Sequence, residues 1–128
     1  MQARQSGFTL VELVVVIAIL GILAATALPK FIDMRTQAAQ AATDGLAGAI
    51  NSAFSINYGA VMAGAAGGTR LNASVKCNDA AGSVLQGGIP SGYTVATGSI
   101  DCVSATGGAC AITGPQSRTA SATLICTG

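Results

Sequence analysis

The stretch that most constrains this chain is Phe8-Thr-Leu-Val-Glu-Leu-Val-Val-Val-Ile-Ala-Ile-Leu-Gly-Ile-Leu-Ala-Ala-Thr-Ala-Leu28. As a helix it would be about 32 Å long, at about 1.5 Å per residue. That length matches a bilayer hydrocarbon core of about 30 Å. The run is apolar all round, so one face of a small soluble core cannot bury it, and a membrane span is the expected outcome. Residues 1–7 ahead of it are short and polar. The single positive charge there, Arg4, favours an N-terminus kept on the cytoplasmic side. An ordinary secretory signal is cut behind its apolar stretch at small residues, and Ala24-Ala25-Thr26-Ala27 imitates such a site. Glu12, a carboxylate inside the apolar run, does not fit that reading.

A carboxylate in a membrane helix costs about 2.5–3.5 kcal/mol near the centre and less near an end. Such residues are usually functional and partnered. One explanation for Glu12 is that it lies close enough to the interface to reach water. The other is a cation nearby. A cut behind Gly7 would create one, the new α-amine of Phe8, one helical turn from Glu12; a neighbouring copy could present the same amine.

Gly7-Phe8-Thr9-Leu10-Val11-Glu12 followed by an unbroken apolar run resembles the processing motif of type IV pilins and pseudopilins. The resemblance is close over about residues 6–57 and architectural beyond. It is nearest to pilins of the mannose-sensitive haemagglutinin kind and to major pseudopilins through Pro29-Lys30-Phe31-Ile32-Asp33. The resemblance implies a membrane peptidase that cuts between Gly7 and Phe8 and methylates Phe8. It also implies that Glu12 aligns subunits by pairing with a neighbour's N-terminal amine. Pro29 falls where the family commonly has a helix-bending proline.

Pro29 has no N–H and collides with the carbonyl one turn back, so a kink or an interruption is expected there. Gly21 is a second weak point. With Ala18, Ala24 and Ala25 it makes a small-residue surface that lets helices approach closely. Over residues 29–58, Ala39, Ala42, Leu46, Ala49, Ile50, Ala53 and Phe54 recur at three- and four-residue steps among polar neighbours, which predicts an amphipathic helix. Asn57-Tyr58-Gly59 predicts its end.

Residues 59–128 form the expected head. The chain has 51% hydrophobic residues, but outside the N-terminal run it is dominated by Ala, Gly, Ser and Thr, with little apolar area each, and there is no Trp. The head core is therefore thin, and four cysteines, Cys77, Cys102, Cys110 and Cys126, read as two disulfides formed in an oxidising compartment. Strands are expected at residues 69–76, 93–100, 109–113 and 119–127, as a small antiparallel sheet laid against the amphipathic helix. A last hairpin centred near Arg118 would place Cys110 opposite Cys126 and leave Cys77 to pair with Cys102. Cys102–Cys126 is the competing arrangement.

The fold class is thus α+β and pilin-like: a long N-terminal helix, membrane-spanning in its first half and kinked at Pro29, packed on a small antiparallel sheet. The domains are a leader at 1–7, a membrane or filament-core helix at 8–28, an amphipathic continuation at 29–58 and a stapled head at 59–128. Enzymatic activity is not expected. With no His there is no His-based acid–base chemistry, and Gly64-Ala65-Ala66-Gly67-Gly68 lacks the Lys-Ser/Thr ending of a phosphate loop. No metal or cofactor is expected. A net charge of +1 and 9% charged residues exclude nucleic acid as the main ligand. The expected function is a structural subunit of a surface filament, a homo-oligomer serving adhesion, motility or attachment. Its partners would be the peptidase, the assembly machinery and, before assembly, the inner membrane. A secretion pseudopilin is the alternative, and a simple inner-membrane-anchored binding domain is the alternative from another class.

Overall fold

The structure, a computed structural model, describes residues 7–128, so the expected leader apart from Gly7, and Arg4 with it, lies outside the described residues. Helix α1 spans Leu10–Met62 and is followed by β1 (Ser74–Lys76), α2 (Cys77–Val84), β2 (Thr94–Val95), β3 (Ser99–Asp101), β4 (Gly107–Thr113) and β5 (Thr119–Ile125). By its internal contacts the chain divides into a unit ending at Thr36 and a unit beginning at Gln37.

In the first unit every residue from Gly7 to Arg35 is exposed. Helix α1 is long and apolar enough to cross a membrane. It runs through Pro29 without a break, so of the two outcomes expected there, interruption does not occur.

In the second unit the buried stripe of α1 is Thr43, Ala47, Ile50, Phe54 and Asn57, spaced at three and four residues. Ile50 and Phe54 are on the expected stripe, but its centre is rotated, and the expected Ala42 and Ala49 are exposed. Two polar residues end the stripe because their hydrogen bonds are made. The Thr43 hydroxyl donates to the Ala39 carbonyl at 2.8 Å. The Asn57 amide donates to the Thr69 carbonyl at 2.9 Å and accepts from the Thr69 N–H at 2.7 Å. A buried polar group so paired avoids the cost of about 1–3 kcal/mol for an unmade bond.

The helix ends at Met62, one turn later than Asn57-Tyr58-Gly59 suggests. Gly64 adopts φ +69°, donating to the Val61 carbonyl at 3.0 Å, while Ala65 donates to the Ala60 carbonyl at 2.9 Å. This is a glycine C-cap that closes the last carbonyls. Gly59 is absorbed into the helix at a cost of about 1 kcal/mol.

Two antiparallel sheets form where one was expected: β1 with β3, and β2–β4–β5. The expected strand at 93–100 is split, its first part pairing with β4 and its second with β1. Helix α2 begins directly after β1 and brings Cys77, Ala80 and Ala81 into the core. Around Ile50 and Phe54 the core collects Leu71, Val95, Ile112 and Leu124. Burial of each such side chain contributes about 1.5–3 kcal/mol.

The disulfides are Cys77–Cys110, with 5.6 Å between Cα atoms, and Cys102–Cys126, with 5.4 Å. The favoured pairing of Cys77 with Cys102 and Cys110 with Cys126 is therefore corrected. The last hairpin turns through Pro115–Ser117, two residues before the expected centre at Arg118. That register sets Cys110 opposite Ala122. Cys126 lies four residues further along the chain, just past the end of β5 and roughly 14 Å away at about 3.4 Å per residue, beyond the reach of a disulfide. Cys110 instead meets the first residue of α2, and Cys126 meets the chain just after β3.

Candidate processing and assembly site

The residues ahead of α1 build a compact local structure. The first helical hydrogen bond runs from the Leu13 N–H to the Thr9 carbonyl at 3.2 Å, which makes Thr9 the residue that caps the helix. Its hydroxyl accepts from the Glu12 N–H at 3.2 Å and donates to Glu12 Oε2 at 2.7 Å. The same carboxylate oxygen accepts from the Thr9 N–H at 2.9 Å. Thr9 and Glu12 thus form a reciprocal capping box, each satisfying a backbone donor that the helix start leaves open. A carboxylate in the first turn also complements the positive end of the helix dipole.

This local geometry has two consequences. The Gly7–Phe8 peptide lies outside the helix and is exposed, Phe8 at 88%, as any peptide must be to enter a peptidase cleft. Glu12 is held facing back along the helix, toward the chain's start. In the described residues its carboxylate serves Thr9, not Phe8. Thr9 is not among the expected site residues, although Thr-x-x-Glu at the head of an apolar run is a capping signature readable in sequence.

The other expected site residues are scattered. Gly21 is exposed, and a Cβ placed there would meet nothing within 4 Å, so the space beside it is open to a neighbour. Pro29 lies inside α1. The four cysteines are paired in the head. Among the described residues no three of His, Cys, Asp and Glu come together as a metal site would require.

Residues 2–28 match the prokaryotic N-terminal methylation motif. The chain is 53% identical over 53 residues to the type IV narrow pilus major component PilA5 of Thermus thermophilus, across 41% of this chain and 46% of that protein. It is 52% identical over 50 residues to the type IV major fimbrial protein FimA of Dichelobacter nodosus, across 36% of this chain and 31% of the relative. To the fimbrial protein EcpC of Eikenella corrodens it is 48% identical over 54 residues, across 42% and 35%. The chain thus spans less than half the length of each of these relatives. No solved structure matches it. The chain joins a helix long and apolar enough to cross a membrane, headed by that methylation motif, to a disulfide-stapled α+β head. Part of this chain thus carries the prokaryotic N-terminal methylation motif and is similar to part of these type IV pilus and fimbrial proteins.

Proposed function

We propose that this chain is the precursor of a structural subunit of a type IV pilus-like surface filament. In this reading a membrane peptidase cuts between Gly7 and Phe8 and methylates Phe8. The precursor spans the inner membrane once with its N-terminus in the cytoplasm, and the mature chain polymerises outside the cell through α1. The observation that carries the reading is a carboxylate fixed at the head of a helix on which no residue from Leu10 to Arg35 is buried. Such a helix needs an apolar surrounding supplied by lipid or by other copies. Glu12 in that surrounding needs a cation, and the amine released at Phe8 of an adjoining copy supplies one. Disulfides suit a head exposed outside the cytoplasm.

The test is an intact mass, under non-reducing conditions, of the chain in material sheared from the cell surface. Residues 8–128 plus one methyl group and minus four hydrogens is the expected species. The processed chain found only in membranes would favour a secretion pseudopilus. An uncut chain, or one cut behind Ala27, would overturn the reading. Glu12→Val separates the filament subunit from a simple anchor: it should abolish filaments while leaving membrane insertion intact. An anchored binding domain would tolerate it.

A further inference from the structure

The two disulfides of the head stand in different surroundings. Cys110 lies on β4, the middle strand of its sheet, and faces the core on the same side as Ile112. That strand is paired with β2 on one side and β5 on the other. Cys77 opens α2, and its N–H donates to the Gly98 carbonyl at 3.1 Å. Cys110 and Cys77 are 0% and 2% exposed. Cys102 and Cys126 each follow the end of a strand, β3 and β5, and keep 5% and 7% exposure. Both line a cleft of about 350 Å³, together with Tyr58, Val103, Thr106 and Ile125. Tyr58 and Val103 in this cleft are themselves exposed.

Hydrogen bonds hold both segments that carry the second bridge. Asp101 closes the turn after β3: Oδ1 accepts from the Val103 N–H at 3.0 Å, Oδ2 from the Ser104 hydroxyl at 2.9 Å, and the carbonyl from the Ala105 N–H at 3.0 Å. The Cys102 N–H donates to the Ala73 carbonyl at 3.2 Å, and the Cys126 N–H to the Thr106 carbonyl at 3.0 Å. Next to Cys126, the Thr127 N–H donates to the Leu71 carbonyl at 2.9 Å, and the Thr127 hydroxyl accepts from the Leu71 N–H at 2.7 Å. None of these bonds involves a sulfur, so all of them survive an opened bridge.

We propose that Cys102–Cys126 is a thiol-exchange site, opened and reclosed by low-molecular-weight thiols while Cys77–Cys110 stays closed and holds the fold. Only the head is involved, so the site stands with or without the filament reading. A thiolate entering the cleft attacks one sulfur of the bridge. The S–S bond breaks, the attacked cysteine is held in a mixed disulfide, and the other sulfur leaves as a thiolate and takes up a proton. A second thiol attacks the small molecule's sulfur and frees the first cysteine. In balance, Cys102 and Cys126 gain two electrons and two protons, and two small thiols become one small disulfide. The reverse sequence, driven by a small disulfide, recloses the bridge.

Access separates the two bridges, because exchange requires the attacking thiolate to reach a sulfur. A cleft near the lower end of the usual range for ligand sites, about 300–1,000 Å³, fits a thiol the size of cysteine. The Cys77–Cys110 sulfurs are reached only when β4 or α2 leaves the core, an opening that approaches global unfolding. Because the segments around Cys102 and Cys126 remain tied, the two thiols stay side by side after reduction. Reclosure is then intramolecular, at a high effective concentration.

The test uses the full oxidised chain in detergent micelles, treated with dithiothreitol without denaturant. Samples are quenched with iodoacetamide over time, and each cysteine is scored by peptide mass. Amide hydrogen exchange of β4 follows the fold in parallel. Cys102 and Cys126 should be labelled at least about tenfold faster than Cys77 and Cys110, with β4 still protected. Replacing dithiothreitol by cystine should restore Cys102–Cys126. The double variant Cys102→Ser with Cys126→Ser should stay folded and keep Cys77–Cys110. Equal labelling rates, earlier labelling of Cys77 and Cys110, or labelling of Cys102 and Cys126 only as β4 loses protection would each overturn the site. An unfolded double variant would also overturn it, since the bridge would then be required for the fold. So would failure of cystine to restore the original pairing.

Discussion

Between Leu10 and Thr36, α1 carries Val14, Ile17 and Leu20 at 48%, 59% and 57% exposure, whereas between Gln37 and Met62 the same helix buries Ile50 and Phe54 completely. The first part has far more apolar surface and makes no core within the chain. The second part has few large apolar residues and anchors the head. The difference lies in arrangement. Apolar side chains all round a helix select a surrounding medium, while a narrow stripe at three- and four-residue steps selects one facing surface. Apolar content alone would locate the core at the wrong end of the helix.

The comparison breaks most sharply under truncation. Phe54→Ala should destabilise the head by about 3–5 kcal/mol, the usual loss for a fully buried Phe. Leu20→Ala should leave head stability within about 0.5 kcal/mol, as expected of an exposed site. Urea titration of the full chain in detergent micelles, followed by the near-ultraviolet dichroism of Tyr58 and Tyr93, measures both. Similar shifts for the two variants would mean that the halves of α1 are not energetically distinct.

Much of this arrangement is legible in sequence. The apolar run, Glu12 within it, and the pair Ile50 and Phe54 four residues apart are all readable by periodicity. Thr43 and Asn57 are not, because a polar residue joins a buried stripe only when some group satisfies it; for Thr43 that group is the Ala39 carbonyl of its own helix. For Asn57 that group is the backbone of Thr69. Helix α2, eight residues long, is too short to show a period. The split of the strand at 93–100 depends on which partner each half finds. The disulfide pairing depends on hairpin register, which depends on the turn. That turn places Gln116 and Ser117 at φ +55° where Gly or Asn would signal it. A shift of two residues in its centre is enough to exchange the cysteine partners.

A smaller effect sharpens the packing side of the comparison. Gly114 is buried, and a Cβ there would collide with Thr43 Oγ1 and come within 2.9 Å of the Tyr93 ring. Gly114→Ala should therefore cost about 1–3 kcal/mol, as overpacking does. Thr43→Ala removes one of the two obstacles, and its hydroxyl bonds only within its own helix, to the Ala39 carbonyl. The double variant should recover part of the loss, with a coupling of about 0.5–3 kcal/mol for groups in contact. Strict additivity would show that the hairpin does not press on α1 at this point. Gly21→Ala, where the space is open, should leave the head unchanged.

The smallest effect tests backbone conformation, and it should have opposite signs at the hairpin tip and inside the helix. Ser117 is exposed and left-handed at φ +55°. A non-glycine residue there carries strain of about 1–2 kcal/mol, while glycine would add about 0.5–1 kcal/mol of lost backbone freedom. Ser117→Gly should therefore raise head stability by roughly 0.5 kcal/mol, the difference of those two effects. In α1, Gln37 is exposed and helical. Gln37→Gly brings only the entropic loss and should cost up to about 1 kcal/mol of local helix stability. Urea midpoints report the first, and amide hydrogen exchange near residue 37 reports the second. A destabilising Ser117→Gly would mean that the hydroxyl at the hairpin tip holds the turn, and that the register bringing Cys110 opposite Ala122 depends on it.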